Sequence, residues 1–247
     1  MQLKDATVLL VDDEPYYIEI ATEWLGREGC RVLSAENGAA ALPILENNQV
    51  HAIITDIRMP RMDGIELVKR LKASGTYMPT AVALSGFSDL SAREAYDLGI
   101  ECQLSKPVSR KVLIAAIQKA ITDREELWAL PFHSGKRLPL KVVFESLSNA
   151  LANKVIAFGR GGFCLRSDKT FPEDSAIEFH LTFDSEQEFL LGQGMVRWVS
   201  QMENIVGIEI ERVQEKGRGW LARLADENKT VSFIPYTPNA ERTTSMR

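Results

Sequence analysis

Residues 7–14 read TVLLVDDE: the apolar and β-branched run Thr7 to Val11 leads straight into Asp12, Asp13 and Glu14. A short apolar run without alternation is the pattern of a strand buried on both faces. The acids at its end place charge where the chain leaves the sheet. The arrangement recurs outward along the chain, in RVLSA (31–35), HAIIT (51–55), PTAVALS (79–85) and ECQL (101–104). Between these runs apolar residues fall at helical spacing, as in Ile65, Val68 and Leu71, or Leu113, Ile117 and Ile121. Strand and helix alternate five times, which implies right-handed crossovers and a five-stranded parallel sheet covered on both faces. This is a doubly wound α/β domain, with its ligand site expected at the carboxyl ends of the strands.

The pattern changes further on. The last helix is expected to run to about Trp128, and LPFHSGKRLP (130–139) then breaks it with Pro131, Gly135 and Pro139. Beyond lie LKVVFE (140–145), NKVIAF (153–158), GFCLRS (162–167), AIEFHLTF (176–183), EFLLGQGMVRWV (188–199) and NIVGIEIERV (204–213), separated by turn residues. Short strands without intervening helices predict a small antiparallel barrel or sandwich, with Phe163, Phe179 and Trp198 in its core. The Gly159–Gly162 segment reads as a bulge or hairpin turn, since neither a Lys-Ser/Thr pair nor a helix follows it. Trp220, Leu221 and Leu224 suit a short closing helix, and the polar stretch from Asp226 a flexible tail. The expected division is 1–123 for the α/β domain, 124–136 for helix end and linker, 137–225 for the barrel and 226–247 for the tail.

Composition narrows the function classes. The 247 residues are 45% hydrophobic and 26% charged, the balance of a globular protein. Up to Asp123 there are 13 lysines and arginines against 17 acids, a charge of −4, and the remainder carries −1 of the total −5. Neither half is basic enough to hold a polyanion by charge. The strand-rich second half offers no recognition helix, so DNA binding is not expected. No apolar run approaches the roughly 20 residues of a membrane span, and acids arrive before any signal-peptide core, so a cytoplasmic location is expected. Cys30, Cys102 and Cys164 are widely spaced, which excludes a disulfide framework or zinc knuckle and fits a reducing compartment. His51, His133 and His180 show no ligand spacing.

The sharpest chemistry lies at the end of the α/β sheet. Asp12 and Asp13 follow the first strand and Asp56 follows the third, and these strands are neighbours in a doubly wound sheet. Converging carboxylates repel and raise one another's pKa unless a cation joins them, and a set of hard oxygens without His or Cys suits Mg2+. Ser85 ends the fourth strand and Lys106 the fifth, bringing a hydroxyl and an ammonium to the same edge. Together they suit a phosphoryl group carried on a carboxylate. Singly, each feature has a plain structural explanation: an Asp pair after a strand caps a helix, and Met62-Asp63-Gly64 is turn chemistry. Five positions agreeing in order and placement leave such explanations little room.

VLLVDDE (8–14), TDIRMPRMDG (55–64), ALSG (83–86) and LSKP (104–107) resemble the response-regulator receiver domain of two-component signalling, over about the first 123 residues. The resemblance implies that Asp56 is the phosphoacceptor. Asp13, Asp56 and the backbone carbonyl of Arg58 would bind Mg2+, Asp12 would act mostly through a metal-bound water, and Ser85 and Lys106 would contact phosphoryl oxygens. It also implies a sensor histidine kinase or phosphotransfer protein as partner, a commonly cis peptide before Pro107, and homodimerisation through the last helices as one assembly. The chain departs from the family at Gln103, where an aromatic residue usually accompanies the switch; Phe87 is a candidate substitute.

KRLPLKVVFE (136–145), VIAFGRGGFCLRS (155–167), LLGQGMVRWV (190–199) and VGIEIERV (206–213) are similar to the PilZ family of small barrels, many of which bind cyclic di-GMP. That family's ligand motifs, RxxxR and (D/N)xSxxG, are worn here. Arg137 aligns with the second arginine and His133 stands where the first belongs; the shifted alignment pairs Arg137 with Lys141 and lacks the second arginine instead. Of the other motif only Gly162 survives, with Ala157 and Gly159 replacing hydrogen-bonding residues. Losing these groups, at roughly 1–3 kcal/mol each, predicts weak or no cyclic di-GMP binding, although Arg160 and Arg166 offer replacement charge. The expected output is therefore contact between the barrel and a protein target. The alternative is a phosphorylation-coupled cyclic di-GMP effector with a rearranged site. An enzyme is not expected, because a phosphohydrolase using Asp56 needs a second acid two residues on, and position 58 is arginine.

Overall fold

In the computed structural model, which describes residues 1–74, 78–86 and 90–227, the TVLLV run is β1 (Thr7–Val11), buried along its whole length. It is followed by α1 (Pro15–Arg27), β2 (Arg31–Ala35), α2 (Gly38–Asn47), β3 (Ala52–Asp56), α3 (Gly64–Ala73), β4 (Thr80–Ser85), α4 (Ala92–Leu98), β5 (Ile100–Ser105) and α5 (Arg110–Ile121). The strands pair in parallel in the order β2-β1-β3-β4-β5, as the alternating pattern predicts. Successive β1 residues serve opposite faces, which is why the run shows no polar alternation. Val8 and Leu10 join a core that includes Leu25 and Ile117, whereas Leu9 and Val11 join one that includes Ala41 and Leu67.

Local signals start the helices. Pro15 opens α1, the Asp63 carboxylate caps α3 by accepting from the Glu66 amide at 2.7 Å, and Ser91 with Glu94 forms a reciprocal capping box at α4. Gly64 is fixed by space: a Cβ there would stand 2.1 Å from the Asp56 carbonyl oxygen and 2.7 Å from Thr55 Oγ1. The Asp63-Gly64 pair thus starts the helix and lets it lie directly against the strand that carries Asp56.

Met1–Thr122 make one compact unit and the described residues from Asp123 onward a second. The last helix of the first unit ends earlier than expected. The last helix of the first unit, α5, stops at Ile121, and Asp123 accepts from the amides of Glu125 and Glu126 to begin a separate helix, α6 (Arg124–Leu127). Trp128, expected at the end of the receiver helix, is fully buried in the second unit's core.

After α6 come β6 (Leu138–Phe144), α7 (Leu147–Ala152), β7 (Ile156–Gly159), β8 (Gly162–Arg166), β9 (Ala176–Phe183), β10 (Glu188–Ser200), β11 (Ile205–Val213) and α8 (Glu215–Glu227). The expected antiparallel barrel is corrected to a mixed, curled sheet in the order β6-β9-β10-β11-β8-β7, with β6 parallel to β9. Reading successive strands as hairpins misses this pair, because α7, β7 and β8 intervene and return the chain in the same direction. Among the described residues β6 and β7 are opposite edges of the sheet and do not close it.

The core of this unit packs Phe163 edge-on against Phe179 at 5.2 Å, with Trp128 and Leu221 in the same cluster. Trp198 is also buried, lying so close over Gly207 that a Cβ there would meet its indole at 2.1 Å. Gly159 pairs with Gly162, so this segment is the expected hairpin turn. The closing helix is longer than expected, at 13 residues. Residues 228–247, most of the expected tail, lie outside the described residues. No helix among the described residues is long and apolar enough to cross a membrane.

Two glycine substitutions test this packing. Gly64→Ala should destabilise the chain by about 2 kcal/mol or more, because the added carbon meets backbone. Gly26→Ala in α1, where nothing lies within 4 Å, should stabilise it by about 0.5–1 kcal/mol. Urea unfolding followed by circular dichroism distinguishes the two signs.

Candidate functional site

The strand order reverses between β1 and β3, and their register sets Val11 opposite Thr55, so Asp12 and Asp56 reach the same end of the sheet at the same level. Carboxylate oxygens of Asp12, Asp13 and Asp56 lie within 4.8 Å of one another. Asp12 is 2% exposed and Asp56 8%, whereas Asp13 faces solvent. The backbone holds the two buried carboxylates in place: the Glu14 amide donates to Asp12 Oδ1 at 3.0 Å and the Arg58 amide to Asp56 Oδ1 at 3.1 Å. Arg58 lies in the β3–α3 loop, where its carbonyl is the expected fourth oxygen ligand.

Lys106 enters from the end of β5. Its Nζ is 2.6 Å from Asp56 Oδ2, 2.9 Å from Asp12 Oδ2 and 3.1 Å from Glu14 Oε1. It also lies 4.9 Å from the centre of the Tyr17 ring. Burial works against the lysine's charge, but the hydrogen bonds to Asp56, Asp12 and Glu14 outweigh it and hold the ammonium above its ordinary pKa. Burial raises the Asp12 pKa above the ordinary carboxylate value; Lys106 and the Glu14 amide oppose that rise, and the Asp56 charge adds to it. Burial likewise raises the Tyr17 phenol.

Ser85 closes the site at the end of β4, paired with Ser105 across the sheet, and its carbonyl accepts from the Lys106 amide at 2.7 Å. The Lys106–Pro107 peptide is cis. The structure therefore brings together Asp12, Asp13, Asp56, Ser85 and Lys106, all expected from sequence. It adds three residues that the sequence pattern does not place there. Glu14 and Tyr17 contact the lysine, and the Gln103 amide, at the position where the family usually has an aromatic residue, reaches to 3.5 Å from Ser85 Oγ. Glu14 carries a usable signal, since it directly extends the aspartate pair. Phe87 lies outside the described residues.

The second unit treats its candidate residues differently. The Arg137 guanidinium donates to Glu211 Oε2 at 3.2 Å and to the carbonyls of Ile177 and Gly194, both at 3.4 Å. His133 exchanges hydrogen bonds with the Gln193 side chain, its amide donating at 2.8 Å and its carbonyl accepting at 3.0 Å. Its Nε2 accepts from the buried Arg212, since a guanidinium can only donate. These groups tie the entry of β6 to β9, β10 and β11. Ala157 faces Cys164 across the β7–β8 hairpin.

The family match falls within the first unit. The family described as "Response regulator receiver domain" matches residues 8–118. The chain is 35% identical over 121 residues to the transcriptional regulatory protein GlrR of Escherichia coli K12, covering 49% of this chain and 27% of that protein. It is 33% identical over 112 residues to the response regulator MprA of Mycobacterium sp. strain KMS, covering 45% and 48% respectively. It is also 30% identical over 109 residues to the sensor histidine kinase RcsC of Salmonella typhimurium, covering 44% and 12%. Among solved structures, a response regulator receiver domain protein from Clostridium thermocellum is 31% identical with a TM-score of 0.44, covering 47% of this chain and 94% of that one. The chain thus spans about a quarter of the length of GlrR and about half that of MprA.

The charge imbalance of the site is measurable. Asp12 has its pKa raised on folding, so the folded state binds more protons above the ordinary carboxylate pKa. Its contribution to stability therefore falls as pH rises through the window between the unfolded and folded values. Asp12→Asn removes that penalty and should stabilise the metal-free chain at neutral pH, with a flatter pH profile between acid and neutral conditions. Urea unfolding across that pH range checks both.

Proposed function

We propose that this chain, whose residues 8–118 are a response-regulator receiver domain, is a phosphorylation switch that accepts a phosphoryl group on Asp56. The observation that carries the assignment is the position of Asp56: a nearly buried carboxylate beside Asp12 and Asp13, with an ammonium at 2.6 Å and a hydroxyl at the end of the adjacent strand. In the step, an Asp56 oxygen attacks the phosphorus of a phosphohistidine on a sensor kinase or phosphotransfer protein. The P–O bond forms, the P–N bond breaks, and the departing imidazole takes up a proton. Lys106 and Ser85 contact oxygens of the transferred group, the lysine by charge and the serine by donating its hydroxyl hydrogen. Asp12, Asp13 and Asp56, with the Arg58 carbonyl, would hold Mg2+, whose charge offsets that of the carboxylates and the phosphoryl oxygens. The donor set fits, being all oxygen and more negative than Lys106 alone neutralises.

The output proposed for the second unit is contact with a protein target in the cytoplasm, without catalysis or DNA binding. A shift of population in the receiver would pass along the chain from α5. The edge strand β6 carries exposed Leu138 and Val143, which suits a contact surface. A PilZ-like relationship is our reading of its strand order and motifs. Cyclic di-GMP binding is proposed to be weak or absent, because Arg137 is committed to Glu211 and two carbonyls and because Ala157 and Gly159 offer the base no side-chain hydrogen bond.

Incubation with acetyl phosphate and Mg2+ should add one phosphate to the intact mass, and Asp56→Asn should abolish the addition. Unchanged labelling in that variant would move the acceptor elsewhere. Calorimetric titration of cyclic di-GMP, with and without beryllofluoride and Mg2+, should give no heat in wild type or Arg137→Ala. Micromolar binding weakened by Arg137→Ala would favour the two-input effector instead.

A further inference from the structure

We propose that Tyr17 and Glu14 form a second seat for the Lys106 ammonium, which holds the lysine in the site while a divalent cation occupies Asp12 and Asp56. The inference rests on the receiver reading and adds a positioning residue, Tyr17, to it. The competition is visible in the contacts. Lys106 makes its two shortest ion pairs with Asp56 and Asp12, the same buried carboxylates that belong to the metal-donor trio. A dication and an ammonium cannot share those oxygens without strong repulsion, so loading the site draws the ammonium away from them. The lysine side chain is only 16% exposed, and an ammonium left there without partners is costly.

Its two other ammonium contacts among the described residues lie outside the donor trio. Glu14 Oε1 is 3.1 Å away on an exposed side chain, and the Tyr17 ring centre is 4.9 Å away. Both residues sit at the start of α1, so they move with the loop that follows β1. Tyr17 is held by packing, as its ring lies against the core that includes Leu25 and Ile117. Its hydroxyl is buried and has no hydrogen-bond partner among the described residues. What the site uses is therefore the ring face, which attracts the cation without competing for metal. Removing the seat leaves the ammonium more dependent on Asp12 and Asp56, and the lysine then competes harder with the metal.

The test is calorimetric titration of Mg2+ into the full chain, arranged as a double-mutant cycle. Tyr17→Leu should weaken Mg2+ binding about fivefold, and Tyr17→Phe should stay within about twofold of wild type, because the ring face survives. In a Lys106→Met background the same Tyr17→Leu change should leave Mg2+ affinity unaltered. Glu14→Gln, on an exposed side chain that does not endanger folding, should likewise cost more affinity with Lys106 present than in the Lys106→Met background, so the cycle can be closed at either residue. Equal losses in both lysine backgrounds, or no loss in Tyr17→Leu and Glu14→Gln, would overturn the second seat while leaving the receiver assignment intact. Failure of the wild-type chain to bind Mg2+ would instead overturn the metal reading on which the seat depends, and the seat with it.

Discussion

The first unit turns on one ammonium set among acids. Lys106 reaches Asp12, Asp56 and Glu14 at once, with Asp13 completing the acidic group. Each carboxylate is where it is because a strand of the parallel sheet ends there, so the fold itself creates the crowding. Burial strengthens the repulsion and the attraction together. One lysine cannot neutralise the group, and the excess negative charge supports the proposed binding of a metal ion and the proposed phosphorylation of Asp56. The close seat of Gly64 against the Asp56 carbonyl belongs to the same constraint, since it fixes the loop that carries Arg58.

The second unit shows the opposite use of charge. Arg137, Arg212 and Glu211 are drawn together, and burial lowers the Arg212 guanidinium's pKa while Glu211 supports its charge and Arg137 opposes it. Guanidinium groups tied to a carboxylate and to strand carbonyls brace a sheet; reaching a ligand would require breaking those bonds. The donors of Arg137 thus serve the fold. This bracing supports the proposal that the unit acts by contact rather than by nucleotide binding.

What the sequence makes legible follows from how local each signal is. TVLLV (7–11), AIIT (52–55) and TAVALS (80–85) lie in strands because double burial leaves them no charged positions, and the aspartates mark the strand ends that become the site. Asp12, Asp13, Asp56, Ser85 and Lys106 are therefore readable from position alone. The parallel pairing of β6 with β9 is not, because it depends on a crossover between distant segments. The place of Trp128 is missed for a similar reason: a four-residue helix after Asp123 looks like a continuation of α5 until the cap is seen. Tyr17 and Gln103 touch the site through side-chain reach, which strand patterns do not encode.

The most direct test of this account is an Mg2+ titration followed by amide NMR of 15N-labelled protein. The reporters are the Glu14 and Arg58 amides, which donate to the Asp12 and Asp56 carboxylates. Both should shift along one saturable curve in the wild type, and that curve should weaken markedly in Asp56→Asn. Amides that stay still, or that move identically in the variant, would contradict a metal-loaded carboxylate site at the end of this sheet.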